Sequence, residues 1–411
     1  MSSAISPLSR RGLLAAAAAL PAVRIARAQS ALRVVVVGGG WGGLSAARQV
    51  RTLVPNAEVT LVEPNRRFMS CPLSIHYIVG DRSEDSLTFG LDGVLRTGVR
   101  QVAERAEAVD RAARVVVTAT ERLPYDFLVL SPGIEYMEEA IPGFAEHRAR
   151  LPVGFRAFEQ QAVKAALDAY TGGDIVLSVP PMPFRCPIAP YERAALFAEA
   201  LARRNLPGKV ILLDQNPAIP IGGPAITAAF AELHAARLEH HLGVQIASVD
   251  GERKRIETNR GALSYGMASL IPPMRAGGIV RAAGLGQRWA DVRFPHFLSA
   301  ADERIYVIGD AVGSTLPKSG HLAVETGVKV AGHIADRVAG RAAADGPADL
   351  PSAICFAFFN AREAMGVRIG NRWDDFERQI QRQQQVDARR SPGAAEAAEQ
   401  WSRGIWAALL D

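Results

Sequence analysis

The 411-residue chain is poor in cysteine: only Cys71, Cys186 and Cys355. That excludes a small fold framed by disulfides. No C-x-x-C-H occurs, so haem is not expected on this chain, and any haem must sit on a partner. His76, His296 and His321 are scattered without metal-ligand spacing, and no metal is expected. No apolar run reaches the roughly 20 residues of a membrane-spanning helix, so no transmembrane segment is expected in the mature chain. Charge of one sign is scarce as well. The formal net charge is +5, and Arg10, Arg11, Arg24 and Arg27 supply four of those charges. The remainder is close to neutral, which argues against nucleic acid as a partner.

Those four arginines lie in an address label. Ser9-Arg10-Arg11-Gly12-Leu13-Leu14 is a twin-arginine pattern, Leu13 to Leu20 is apolar, and Ala26-Arg27-Ala28 offers a cleavage site. Residues 1–28 are expected to be a signal peptide and the mature protein periplasmic, exported folded. The alternatives are a disordered basic arm or a mitochondrial-type presequence. In an oxidising compartment a disulfide persists, and a third thiol then needs another fate.

Arg33 to Val37 reads as a buried parallel strand. Gly38-Gly39-Gly40-Trp41-Gly42-Gly43 follows, then helical spacing from Leu44 to Val54, then the strand Val59 to Val62 with Glu63 at its end. This is a βαβ unit carrying G-x-G-x-x-G as Gly38, Gly40 and Gly43, with Glu63 placed for a ribose hydroxyl. Two later strands end in small-residue turns, Tyr125 to Gly133 and Arg304 to Ala311. The Gly309-Asp310 pair is similar to the one whose aspartate holds the ribityl chain in two-dinucleotide flavoproteins, and FAD is the expected cofactor.

A second α/β unit opens at Asp174 to Val179, with Val210 to Asp214 as its next strand. Its first loop should be glycine-rich to admit a nicotinamide nucleotide. It reads Val179-Pro180-Pro181-Met182-Pro183-Phe184-Arg185-Cys186 instead. Prolines remove amide donors and side chains fill the space, so no NAD site is expected there. Cys186 then belongs to the substrate chemistry. The expected class is α/β, with two Rossmann-like domains and a smaller C-terminal α+β domain. FAD-binding segments are placed at 29–150 and 265–337, the second Rossmann-like domain at 151–264 and the C-terminal domain at 338–411. Val338 to Pro351 reads as a linker, Ile354 to Phe359 as a strand, and Gly393 to Asp411 as a helix with Trp401, Ile405 and Leu409 on one face.

Arg66 to Asp81 around Cys71, Arg185-Cys186-Pro187 with Pro190-Tyr191-Glu192-Arg193, Gly309-Asp310, Pro317-Lys318-Ser319-Gly320, Cys355 and Trp401-Ser402-Arg403-Gly404 together resemble one family. It is the flavoprotein subunit of flavocytochrome c sulfide dehydrogenase, a relative of sulfide:quinone oxidoreductase. The resemblance implies covalent attachment of FAD through Cys71, although Pro72 departs from the family's usual aromatic residue. It also implies a redox-active disulfide between Cys186 and Cys355, a small sulfur substrate, and a c-type cytochrome as electron acceptor.

Read from the residues alone, alternatives stay open. Cys186 and Cys355 could be inert thiols or a structural disulfide, and Cys71 a core cysteine in a turn. Lys318 is either a cation near the flavin ring or a solvated first-turn residue. Glu192 accepts a proton from H₂S if it is buried beside Cys186, and is otherwise a surface glutamate. Gly133 lies in a turn at the FAD site. Competing functions are a membrane-surface sulfide:quinone oxidoreductase and a non-catalytic flavoprotein accessory to sulfur oxidation.

Overall fold

The computed structural model describes residues 31–156, 158–342 and 346–411; the twin-arginine segment lies outside them. The first sheet grows from Arg33–Val37, whose Val34 to Val37 are buried on both faces. It pairs in parallel with Glu58–Val62 on one side and Phe127–Leu130 on the other. Arg100–Val102 and Ile305–Val307 extend the parallel core, and a short antiparallel pair closes one edge of seven strands. Strands buried on both faces need helices above and below, hence the unbroken valine run.

The first helix spans Trp41–Leu53, starting earlier than Leu44 because the loop glycines are themselves helical. A Cβ at Gly43 would sit 1.8 Å from the Gly38 carbonyl oxygen, so only glycine lets this turn pack on its own loop. The long helix Gly320–Val338 packs against it, capped by the Ser319 side chain, which accepts from the Leu322 N–H.

The second sheet is wholly parallel, ordered 238–242, 210–214, 175–179, 267–269. Met267–Ser269 pairs with Ile175–Leu177, so this sheet draws a strand from beyond the expected break at 264. Antiparallel strands Ile134–Tyr136 and Met274–Ala276 mark the two places where the chain passes between the sheets. The architecture is thus α/β, with two Rossmann-like units and a smaller α+β part.

That last part holds three antiparallel strands, Ala348–Asn360, Glu363–Asp374 and Gln379–Val386, and the helix Pro392–Leu410. The strand expected at 354–359 is much longer, and residues 348–351 of the expected linker belong to it. Leu350 and Ala353 are buried, so packing overrides the Ala- and Asp-rich composition there. The terminal helix turns Ala398, Ser402, Ile405, Leu409 and Leu410 inward.

Gly43→Ala is expected to destabilise the protein by about 1–3 kcal/mol or to prevent folding outright, because backbone must move to admit the methyl group. Urea unfolding of the purified variant measures this, and a wild-type midpoint would contradict the packing described.

Candidate functional site

Gly38 leaves the first strand with φ +99°, a left-handed conformation that turns the chain sharply into the helix. The Gly39 amide donates to Glu63 Oε2 at 2.7 Å, and Asn65 donates to Glu63 Oε1 through its backbone N–H at 2.8 Å and its side chain. These bonds fix the carboxylate at the strand end. A Cβ at Gly40 would meet nothing within 4 Å, so the helix N-terminus is open to a cavity. That cavity holds about 1420 Å³, its open mouth included, and both Gly40 and Glu63 line it. Asp310 is buried, with Oδ1 lacking any partner while Oδ2 accepts from Arg185 Nε at 2.6 Å. An orphaned buried carboxylate oxygen calls for a hydroxyl donor. With the open helix end and Glu63, the donor set fits FAD: pyrophosphate at Gly40, adenosine ribose at Glu63, ribityl at Asp310. Gly133 and Gly309 take φ +67° in the turns that follow their strands.

Cys71, Cys186, Cys355, Glu192 and Lys318 all line this same cavity. Cys186 sits in the glycine-poor loop with φ +52°, a strained conformation for a side chain bearing a Cβ. Two bonds hold it there: its N–H donates to the Lys318 carbonyl at 2.7 Å, and its own carbonyl accepts from Ala189 at 3.0 Å. Cys355 comes from the long strand Ala348–Asn360, between Ile354 and Phe356, which also face the cavity. All three cysteines are free thiols, so the disulfide implied by the resemblance is not formed in this structure. Cys186 and Cys355 nonetheless line the same cavity.

Burial dominates the electrostatics. It pushes Cys186 well up, and Cys355, Cys71 and Glu192 add repulsion. Burial raises Cys355 to about 12, partly opposed by a hydrogen bond from Ser319. Cys71 is also raised by burial, against the pull of Arg185 and the Trp41 indole N–H, which lies 3.2 Å from its sulfur. Its accessible surface opens into the cavity rather than to bulk water, so desolvation still acts on it.

Glu192 is 9% exposed, in the first turn of the helix Ala189–Arg203. The surface alternative is therefore excluded. Burial lifts its carboxyl to about 8, and Oε1 accepts from the Phe358 N–H. Lys318 is buried too, not solvated. Its ammonium donates to the Asp310 and Val312 carbonyls at 2.8 Å each and stands 3.7 Å from the Trp289 ring centroid. Burial lowers it to about 8.

Three contributors carry no role in the sequence reading. Arg185 ties Asp310 and the Phe155 carbonyl. Arg193 donates to the carbonyls of Val153 and Gly154, and its guanidinium lies over Phe155. Trp41 reaches Cys71. The first two flank Cys186 and Glu192 in sequence; nothing in the pattern reveals Trp41.

In the second unit the loop and strand-end residues bond to one another. Asp214 ends its strand where a ribose carboxylate belongs, yet it is fully buried. It accepts from Tyr191 Oη at 2.7 Å, faces His240 Nε2 at 3.2 Å and accepts from the Asn216 N–H. Asn216 in turn accepts from the Met182 N–H and donates to the Pro180 carbonyl. Among the described residues no group of three metal-ligating side chains occurs, and no helix is long and apolar enough to cross a membrane.

Residues 160–272 match the model for the central region of the sulfide dehydrogenase [flavocytochrome c] flavoprotein chain, and residues 32–165 match that of the pyridine nucleotide-disulphide oxidoreductases. The sulfide-quinone reductase of Aquifex aeolicus is 29% identical over 182 residues, 44% of this chain and 42% of that protein, so the match spans less than half of it. The mitochondrial sulfide:quinone oxidoreductase of Mus musculus is 23% identical over 73% of this chain and 70% of its own. A sulfide dehydrogenase [flavocytochrome c] flavoprotein chain from Chlorobaculum thiosulfatiphilum is 60% identical over 42 residues, 10% of this chain and 88% of that sequence. In fold, the crystal structure of the Aquifex aeolicus sulfide:quinone oxidoreductase superposes with TM-score 0.75 at 19% identity, covering 91% of this chain and 90% of that one.

The Glu192 carboxyl makes stability depend on pH. Its folded value near 8 exceeds the ordinary 4.5, so the folded state holds the proton more tightly. The associated stability is fully present below about pH 4.5 and is lost as pH rises through about 8. Urea unfolding of the apoprotein should show that decline, and Glu192→Gln should flatten it. A variant with an unchanged pH profile would contradict the burial argument.

Proposed function

We propose that the chain is a member of the family of the flavocytochrome c sulfide dehydrogenase flavoprotein chain and the related sulfide:quinone oxidoreductases, and that it oxidises sulfide, or a closely related reduced sulfur species, with FAD. The observation that carries this reading is the single cavity shared by the dinucleotide helix end, three cysteines and a buried glutamate. FAD when bound accepts an electron pair and can release it one electron at a time.

Cys186 and Cys355 are the redox pair, joined as a disulfide in the resting oxidised enzyme. Hydrosulfide attacks one sulfur, leaving a persulfide there and a thiolate on the other. The persulfide sulfur departs with a second nucleophile, and re-forming the disulfide supplies two electrons. Glu192 takes the proton from H₂S through its ionised fraction, which for a carboxyl held near 8 grows as pH rises toward that value. Lys318 and the capped N-terminus of Gly320–Val338 put positive potential at the same wall, where negative charge collects on reduction. Cys71 attaches FAD covalently. Arg185 and the Trp41 N–H favour its thiolate, and the bond keeps the cofactor with the exported protein.

The electrons leave to a c-type cytochrome in the periplasm. NAD is a poor acceptor here, since Asp214 is already occupied by Tyr191 and Asn216. A quinone within a membrane is disfavoured by the terminal helix: Ile405, Leu409 and Leu410 turn inward, while Glu396, Gln400 and Arg403 face outward.

Anaerobic sulfide should bleach the flavin of the wild-type holoprotein. Cys186→Ser and Cys355→Ser should each slow bleaching by about 100-fold or more, and Cys71→Ser should free the flavin on acid precipitation. Stopped-flow absorbance and flavin fluorescence of the precipitated peptide read these outcomes. A flavin that stays oxidised under sulfide would refute the activity.

A further inference from the structure

The C-terminal three-stranded sheet ends in an edge that no described strand covers. The strand Gln379–Val386 pairs with Glu363–Asp374 on one side without a register break. Among the described strands none pairs with its other side. Gln381, Arg382, Gln383, Gln384 and Gln385 are all exposed, while Ile380 and Val386 at the ends of the strand pack against the core. Its sequence, Gln-Ile-Gln-Arg-Gln-Gln-Gln-Val, has no proline, no bulge and one charge.

Natural proteins blunt such edges with charges, proline or bulges. Here the only charge is withdrawn, because Arg382 donates its guanidinium to the Thr315 carbonyl. The turn before the strand carries Phe376, 91% exposed. A bare edge beside a bare aromatic marks a surface that is covered in the working protein.

The two ends of the strand differ in charge. The turn holds Asp375 and Glu377, both exposed, against Arg378, while beyond Val386 Asp387 accepts from the Gly366 N–H and Arg390 is tied to Glu232 and Glu363, leaving Arg389 exposed. An antiparallel copy of the same strand brings each acidic end against the other's basic end. From this complementarity we infer that the strand Gln379–Val386 is a homodimer interface, pairing with the same strand of a second copy about a two-fold axis.

The axis passes through Gln383, since opposed residues of an antiparallel pair share a face and a centre on residue 382 would oppose two arginines. Gln383 then faces Gln383 of the second copy, Arg382 faces Gln384, and Glu377 comes opposite Arg389. The result is one continuous six-stranded antiparallel sheet. Each copy keeps its cavity, because the interface uses none of the cavity-lining residues.

Analytical ultracentrifugation of the purified flavin-loaded protein tests this. The expected species at low micromolar concentration has twice the mass of the chain. Arg389→Glu places like charges at both ends and should raise the dimer dissociation constant about tenfold. Gln383→Pro, which spoils pairing at the centre, should abolish the dimer. Flavin content and circular dichroism confirm that each variant is folded. A monomeric wild type overturns the inference, and so does a dimer indifferent to Arg389→Glu. A monomer that assembles only with a haem protein also overturns it, and assigns the edge to that partner.

Discussion

Two short bonds fasten the loop of the second Rossmann-like unit to the first. The Cys186 N–H donates to the Lys318 carbonyl at 2.7 Å, and Arg185 Nε meets Asp310 Oδ2 at 2.6 Å. Everything chemical in the molecule follows from that junction. It holds Cys186 in a backbone conformation that a cysteine does not choose, and it sets that thiol beside the N-cap of the long helix. From the other side Ser319, the same cap, hydrogen-bonds Cys355. Removing either member of the Arg185–Asp310 pair would leave a charge in a largely dry site, a loss typically of about 3–5 kcal/mol.

The same junction explains how the fold has changed its trade. A dinucleotide loop is ordinarily a concave row of amides, and this one has been replaced by prolines and a cysteine. The vacated ribose position is not left polar and empty. Tyr191, His240 and Asn216 gather on Asp214, so the buried carboxylate is satisfied from within. Burial raises the thiols and the Glu192 carboxyl together and lowers the lysine, so it favours the neutral form of each, while Arg185 and Asp310 form an ion pair at the same site.

Much of this was legible in the chain. The valine run, the three glycines and the acidic residue at 63 define a dinucleotide unit because each answers a separate steric or electrostatic demand. The missing glycines at 180–183 were equally plain. What stayed hidden depends on contacts distant in sequence. Glu192 looks like any glutamate in a helix; only the strand Ala348–Asn360 lying over it makes it buried. Trp41 reads as a loop residue among glycines, and its hydrogen bond to Cys71 needs the intervening strand to fold back. The stretch 348–351 reads as linker because composition outweighs pattern there, whereas pairing with Arg372 and Asn371 decides its form.

The central claim is that Cys186 and Cys355 are one redox couple. The most direct measurement is a peptide map of the oxidised holoprotein, digested without reductant and read by mass spectrometry. The expected product is a cross-linked peptide pair containing residues 186 and 355, which dithiothreitol separates. Alkylation of both residues as free thiols in the air-oxidised, flavin-loaded protein would contradict it.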